Sequence, residues 1–248
     1  MTDLGPRPHA KAPRDLRATW RRLKKNIFVA FFIDLLVIVA TALVLSLLVK
    51  TFLIRSFFIP SGSMLETLQI QDRIIVNELV PDVIPIERGD VVVFKDPGNW
   101  LGTIEQPQQN FFQATGEWFL SAFGFAAPDS SQHLVKRVIG VGGDHVVCCN
   151  PDGKLTINGV PITEPYVAKG AEPSTVKFDV VVPKDSIWVM GDNRVGSADS
   201  RSHMDLPGGG FVPLKNVVGS VFAVLWPLDR MHLINDEGTK TFKGLNSK

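Results

Sequence analysis

Lys136-Arg137-Val138-Ile139-Gly140-Val141-Gly142-Gly143-Asp144 is the stretch that fixes the fold class. Val135 to Val141 is a short, β-branched apolar run, and Gly142-Gly143-Asp144 closes it with a turn signal, so it reads as a strand. The lysine at its head is unusual, because burying an ammonium group is costly. Two explanations stand. One is an edge-strand charge that points to water. The other is a neutral lysine base whose pKa is lowered by desolvation.

Outward from this run the same texture continues. Arg73–Val76, Val91–Phe94, His145–Cys148, Leu155–Ile157, Val176–Val182, Ile187–Met190 and Val217–Leu225 are short apolar segments between Gly, Pro, Asn and Asp. Asn158-Gly159, between Leu155–Ile157 and Val160–Ile162, is a strong hairpin signal. There is no internal repeat and no sustained βαβ alternation. The expectation is an all-β protein: an antiparallel, barrel-like catalytic domain over 55–248, with a β-hairpin extension at 150–185.

The N-terminal side differs. Ile27 to Val49 runs IFVAFFIDLLVIVATALVLSLLV, with Asp34 as its only charge. At 1.5 Å per residue it spans roughly 34 Å, enough for a bilayer core of ~30 Å. A cleaved signal peptide is the competing reading. Against it, the apolar stretch exceeds the ~7–15 residues of a signal core, and no small-residue cleavage site precedes Lys50. The reading is one transmembrane helix over 27–54. Asp34 would sit at headgroup level, leaving Leu35–Ile54 as the span and Lys50 snorkelling. Residues 1–26 form a basic tail, with Arg7, Lys11, Arg14, Arg17, Arg21, Arg22, Lys24 and Lys25 against Asp3 and Asp15. By the positive-inside rule the tail is cytoplasmic, and everything after about Arg55 lies outside the plasma membrane.

Of the 248 residues, 45% are hydrophobic and 21% charged, which supports a packed core and excludes global disorder. The formal net charge is +1, so no polyanion partner is advertised, and the basic tail is a topology signal rather than a nucleic-acid arm. Cys148 and Cys149 are adjacent. They cannot build a four-ligand zinc site. They read first as buried thiols, because trans-linked neighbours are ~3.8 Å apart against the usual ~4.4–6.8 Å of a disulfide, and second as a rare vicinal disulfide. An aromatic-rich insert occupies 98–133. Phe111, Trp118 and Phe125, with Phe112, Phe119 and Phe123, fit a short amphipathic helix, either packed on the barrel or lying in the outer leaflet.

Four segments carry the chemistry. They are Ser61-Gly62-Ser63-Met64-Leu65-Glu66-Thr67-Leu68, Gly89-Asp90-Val91-Val92-Val93-Phe94, the lysine run above, and Gly191-Asp192-Asn193-Arg194-Val195-Gly196-Ser197-Ala198-Asp199-Ser200-Arg201. Each alone is modest evidence. In this order, after an apolar span, they resemble the boxes of the bacterial type I signal peptidases, S-G-S-M-x-P-T-L, G-D-x-V-V-F, K-R-V-I-G-x-x-G-D and G-D-N-R-x-x-S-x-D-S-R. The resemblance runs from the anchor to about Leu228. It implies that Ser63 is the nucleophile and Lys136 the general base. Ser61 would help the Ser63 backbone N–H form the oxyanion hole, and Ser197 would orient the lysine. Asp199 and Arg201 would form a supporting ion pair, with Arg137 beside them. Ile59, Met64, Leu68 and Val135 would line small substrate pockets. Glu66 departs from the pattern, which usually has proline there.

The implied chemistry is coherent. A serine hydroxyl becomes nucleophilic when a base takes its proton. Lysine serves only if its pKa falls by roughly 2–3 units from ~10.4. The resemblance further implies an acyl-enzyme, signal peptides of preproteins as substrates, and cleavage after small residues of Ala-x-Ala type. An extended substrate would add to a strand edge. The Phe57–Ile59 stretch would keep the site at the lipid bilayer, near the export translocon. No metal and no cofactor is required. Three rivals compete. A Ser-His-Asp hydrolase would need one of His133, His145, His203 or His232, and no G-x-S-x-G elbow surrounds Ser63. A self-cleaving Ser/Lys repressor would carry a DNA-binding helix-turn-helix. A catalytically silent, membrane-anchored binding module on the same scaffold would have no reason to keep Ser63, Lys136 and Ser197.

Overall fold

A computed structural model describes residues 27–52, 54–102, 133–234 and 237–246. The chain divides into two units, Met1–Val49 and Lys50–Lys248. The first holds most of a single helix, α1 (Ile27–Phe52). Its Phe28–Ser46 window has a mean hydropathy of 2.8 and none of it is buried in protein. It is long and apolar enough to cross a membrane.

The sheets of the second unit are antiparallel throughout. The larger sheet has eight strands: β1 (Ile54–Phe58), β2 (Arg73–Asn77), β3 (Val91–Lys95), β4 (His133–Val141), β9 (Ser186–Met190), β10 (Val212–Pro213), β11 (Val217–Trp226) and β12 (His232–Leu233). Their order is β1-β2-β11-β3-β4-β9-β10, with β12 also on β11. The smaller sheet is the extension, in the order β7 (Val160–Pro161), β6 (Thr156–Ile157), β5 (His145–Cys148) and β8 (Phe178–Val181). Asn158 and Gly159 make its hairpin turn with φ of 52° and 80°, the left-handed pair a tight β-hairpin needs.

Burial follows the pattern of each strand. β2 alternates, with Ile74 and Val76 inward. In β3, Val91 to Phe94 are all buried, as expected of a strand covered on both faces. Three apolar clusters result. One lies beneath the Ser63 turn (Phe57, Ile59, Met64, Leu68, Ile74, Val224). One lies between β3, β4 and β9 (Val92, Phe94, Val138, Val189). One joins the extension to β9 (Ile139, Leu155, Ile157, Trp188, Phe242).

Several expectations change here. Ile54 is not part of the helix but opens β1, which pairs with β2 along its whole length. Phe57 and Ile59 face the core and only Phe58 points outward, so the stretch does not present an apolar face as a unit. Cys148 and Cys149 are disulfide-bonded rather than free. The peptide between them is cis, which brings their Cα atoms to 3.0 Å and removes the trans spacing on which the thiol reading relied. A C-terminal helix, α2 (Glu237–Asn246), packs Phe242 into the core. The aromatic insert from Thr103 to Gln132 and the tail lie outside the described residues.

Candidate active site

The turn that carries Ser63, the nucleophile the resemblance implies, is built first. Ile59 N donates to Asp72 O and Gln71 N to Ile59 O, which closes a loop around residues 60–70. Within it Leu68 N donates to Met64 O at 2.8 Å, a single helical turn that drives Met64 and Leu68 into the core and leaves Ser63 at the rim. Glu66 lies in this turn with φ of 86°. Proline, locked near −65°, does not fit there. The departure from the usual proline therefore goes with a left-handed turn, and Glu66 shapes it.

The lysine arrives from β4. Val92 opposite Lys136, and Val91 opposite Arg137, fix the register, and the alternation of the strand sends the two basic side chains to opposite faces. Lys136 is only 3% exposed. Its Nζ donates to Ser63 Oγ at 2.7 Å and to Val135 O at 3.1 Å. Burial lowers its pKa to about 8, against the pull of Asp199 and Asp192, which favour the charged form.

The loop after β9 completes the site. Asn193 clasps the nucleophile turn: its backbone N donates to Ser63 O and its Nδ2 to Gly62 O. Gly191 lies between Ser63 and Ser197, where a side chain has no room. Ser197 Oγ is buried and makes no well-formed hydrogen bond, although it faces Asp199. Asp199 takes two hydrogen bonds from the Arg201 guanidinium, at 2.8 and 2.7 Å, one from the Arg201 backbone N–H at 3.2 Å, and one from the Gly191 amide at 2.9 Å. Burial alone would raise the Asp199 carboxyl, but these donors and the Arg201 charge hold it below the usual carboxylate range. His203 Nδ1 meets Asp199 O at 2.7 Å, and its ring stacks on Trp100.

Arg137 does not join the Asp199–Arg201 pair. It forms its own, with Nε and Nη2 on the two oxygens of Asp192 at 2.8 and 2.7 Å, Nη1 on Gly89 O and Nη2 also on Thr67 Oγ1. Thr67 in turn donates to Asp192. Asp192 thus ties the lysine strand, the nucleophile turn and its own loop together. Its role, and those of Thr67, Asn193 and Gly191, are not separable in the sequence, where they read only as parts of polar turns.

Beside the pair is a cleft of about 320 Å³. Ser61, Ser63 and Lys136 open onto it, and Phe57, Ile59, Met64, Leu101 and Val135 are among its apolar walls. Leu68 does not reach it; it is fully buried beneath the turn. Ser61 Oγ is 3.4 Å from Ser63 Oγ. No group of three or more His, Cys, Asp or Glu able to hold a metal occurs among the described residues.

A serine hydroxyl in contact with a buried lysine, beside an apolar cleft, is the equipment of a hydrolase without a histidine. Residues 32–226 match the family model described as signal peptidase, peptidase S26. This chain belongs to that family. It is a serine endopeptidase of the signal peptidase I kind. Signal peptidase I of Mycobacterium tuberculosis is 37% identical over 222 residues, covering 80% of this chain and 74% of that one. Probable signal peptidase I of Mycobacterium leprae is 37% identical over 201 residues, covering 70% and 69%. Signal peptidase I P of Bacillus subtilis subsp. natto is 32% identical over 219 residues, covering 85% and 95%.

Proposed function

We propose that this protein removes signal peptides from exported preproteins at the outer face of the plasma membrane, with Ser63 as nucleophile and Lys136 as general base. The observation that carries the reading is the 2.7 Å contact between a buried, easily deprotonated lysine and the serine hydroxyl. Neutral Lys136 takes the Ser63 proton as Oγ attacks the scissile carbonyl, then passes it to the leaving amine. The acyl-enzyme is cleared by water that the same lysine activates. The Ser63 N–H and the Ser61 hydroxyl meet the oxyanion; a donor of this kind is worth ~2.7–4 kcal/mol in the transition state. Ser197, with Asp199 and Arg201 behind it, bounds the lysine from the side.

The cleft favours small side chains next to the cut, of Ala-x-Ala type, because Ile59, Met64 and Val135 leave it narrow and apolar. Leu68 acts from beneath this wall. The α1 helix anchors the chain in the bilayer, once, with the basic tail in the cytoplasm. The partners are then signal peptides, lipid and the neighbouring export translocon.

The test is cleavage of a preprotein with an Ala-x-Ala junction by the full-length chain in detergent. Ser63→Ala and Lys136→Ala are expected to be inert, and His203→Ala to cleave. A wild type that fails to cut returns the silent binding module, and a Lys136→Ala that cuts removes the dyad.

A further inference from the structure

Tyr166 lies on the extension, between β7 and β8, far in sequence from every segment of the site. It is 4% exposed, and its ring underlies Arg137, with Cζ 4.1 Å from the ring centroid. The hydroxyl donates to Glu164 Oε1 at 2.8 Å. Glu164 takes two further hydrogen bonds, at 2.6 and 2.9 Å, from Arg194, whose Nε holds Gly191 O. The ring is therefore fixed to the catalytic loop at one edge while its face supports Arg137. From the other side Arg137 meets α2: a Cβ on Gly238 would lie 2.1 Å from Nη1. A planar guanidinium bound at Nε and Nη2 by one carboxylate tolerates little rotation, and a ring beneath it sets its plane.

We propose that Tyr166 is a positioning residue for the general base: it holds Arg137 flat against Asp192, so that the carboxylate is neutralised by Arg137 instead of acting in full on Lys136. This rests on the Ser63/Lys136 reading above. The charged groups acting on Lys136 are Asp192 and Asp199. Those facing Arg137 are Asp192, Tyr166 and Arg194, with Asp90 nearby. Loosening Arg137 leaves Asp192 less neutralised, the ammonium form of Lys136 gains, and the lysine deprotonates only at higher pH. A residue that merely filled space would lower activity without moving that transition.

The experiment measures kcat and KM against pH for the full-length protein in detergent, as wild type, Tyr166→Leu, Tyr166→Phe, Gly238→Ala and Lys136→Ala, with thermal midpoints alongside. Tyr166→Leu and Gly238→Ala are expected to move the acid limb of kcat upward by about half a pH unit or more, with KM unchanged. Tyr166→Phe keeps the ring under Arg137 but loses its tether to Glu164, and is expected to move the limb less than Tyr166→Leu. A folded Tyr166→Leu with an unmoved limb overturns the proposal. Where Tyr166→Leu does not fold, Gly238→Ala decides, because its Cβ would stand 2.1 Å from Arg137 Nη1 and 2.7 Å from Gly89 O, the carbonyl that nitrogen holds; an unmoved limb there also overturns it. Lys136→Ala separates the two ideas. If it is inert and no limb moves, only the role of Tyr166 falls; if it cleaves, the dyad falls and takes this proposal with it.

Discussion

The α-carbon of Gly191 faces the carbonyl oxygen of Ser63 so closely that a Cβ built there would stand 2.4 Å from it, and 2.2 Å from Ser197 Oγ. Both contacts are rigid, one being backbone and the other a short side chain on a tightly bonded loop. Gly191→Ala must therefore move Ser63, the proposed nucleophile. A fall in kcat of about 100-fold or more is expected, since small misplacements of reacting groups cost that much, with KM and the circular dichroism spectrum little changed. Retention of wild-type kcat would show that the loop yields.

The pH dependence follows from Lys136. As the proposed base the lysine would work only when neutral, and its pKa is lowered to about 8. The sign is that of a base: kcat/KM rises with pH through about 8 and levels off above it. A profile that falls over this interval would mean that a protonated group acts.

The same burial carries a stability cost. In the unfolded chain the lysine returns to its ordinary value of 10.5, while in the fold it is about 8. Below about 8 the folded state therefore holds a charged group it disfavours, and stability rises with pH between the two values. Lys136→Met is expected to abolish cleavage and to stabilise the fold at pH 7 by about 3 kcal/mol, the free-energy equivalent of the shift. The check is denaturant unfolding at pH 7 and pH 10, where the gain should shrink.

Glu66 offers a test against family habit. Installing the usual residue, Glu66→Pro, is expected to destabilise by at least ~1 kcal/mol and to lower kcat, because proline cannot reach a positive φ. Glu66→Gly should be neutral or stabilising at the same position. A stable, active Glu66→Pro would mean that the turn has a second conformation.

Leu68 separates wall from foundation. It is fully buried and outside the cleft. Leu68→Ala should cost about 2–5 kcal/mol of stability through the cavity it leaves, with substrate preference unchanged. A relaxed preference for the residue before the cut would make it part of the pocket after all.

What the sequence disclosed and what it hid divide along physical lines. Strands with strong β-branched runs and sharp turns, such as His145–Cys148 and the Asn158-Gly159 hairpin, were legible because the local signal and the tertiary outcome agree. β1 was not, because Ile54-Arg55-Ser56-Phe57-Phe58 follows almost directly on the helix and shows no strict apolar–polar alternation. α2 was not, because Phe242 and Leu245 are its only large apolar residues. In the site, Ser63 was reached only through the resemblance, and Lys136 stood out as a charge in an apolar run. Asp192, Thr67 and Tyr166 did not, since their importance lies in whom they meet, and a hydrogen bond across 125 residues leaves no local trace.

The length of those connections has a consequence for how the protein comes into being. Ser63 and Lys136 are 73 positions apart, and Arg88 is pinned by the carbonyl of Leu245, 157 positions on. Such long-range pairings form late in folding. A ribosome that has just passed Lys136 has made both members of the proposed dyad, but neither the Gly191–Arg201 loop that clasps the Ser63 turn nor the helix that meets Arg137. The proposed dyad therefore lacks its clasp until segments well downstream of both its residues have been made and folded back.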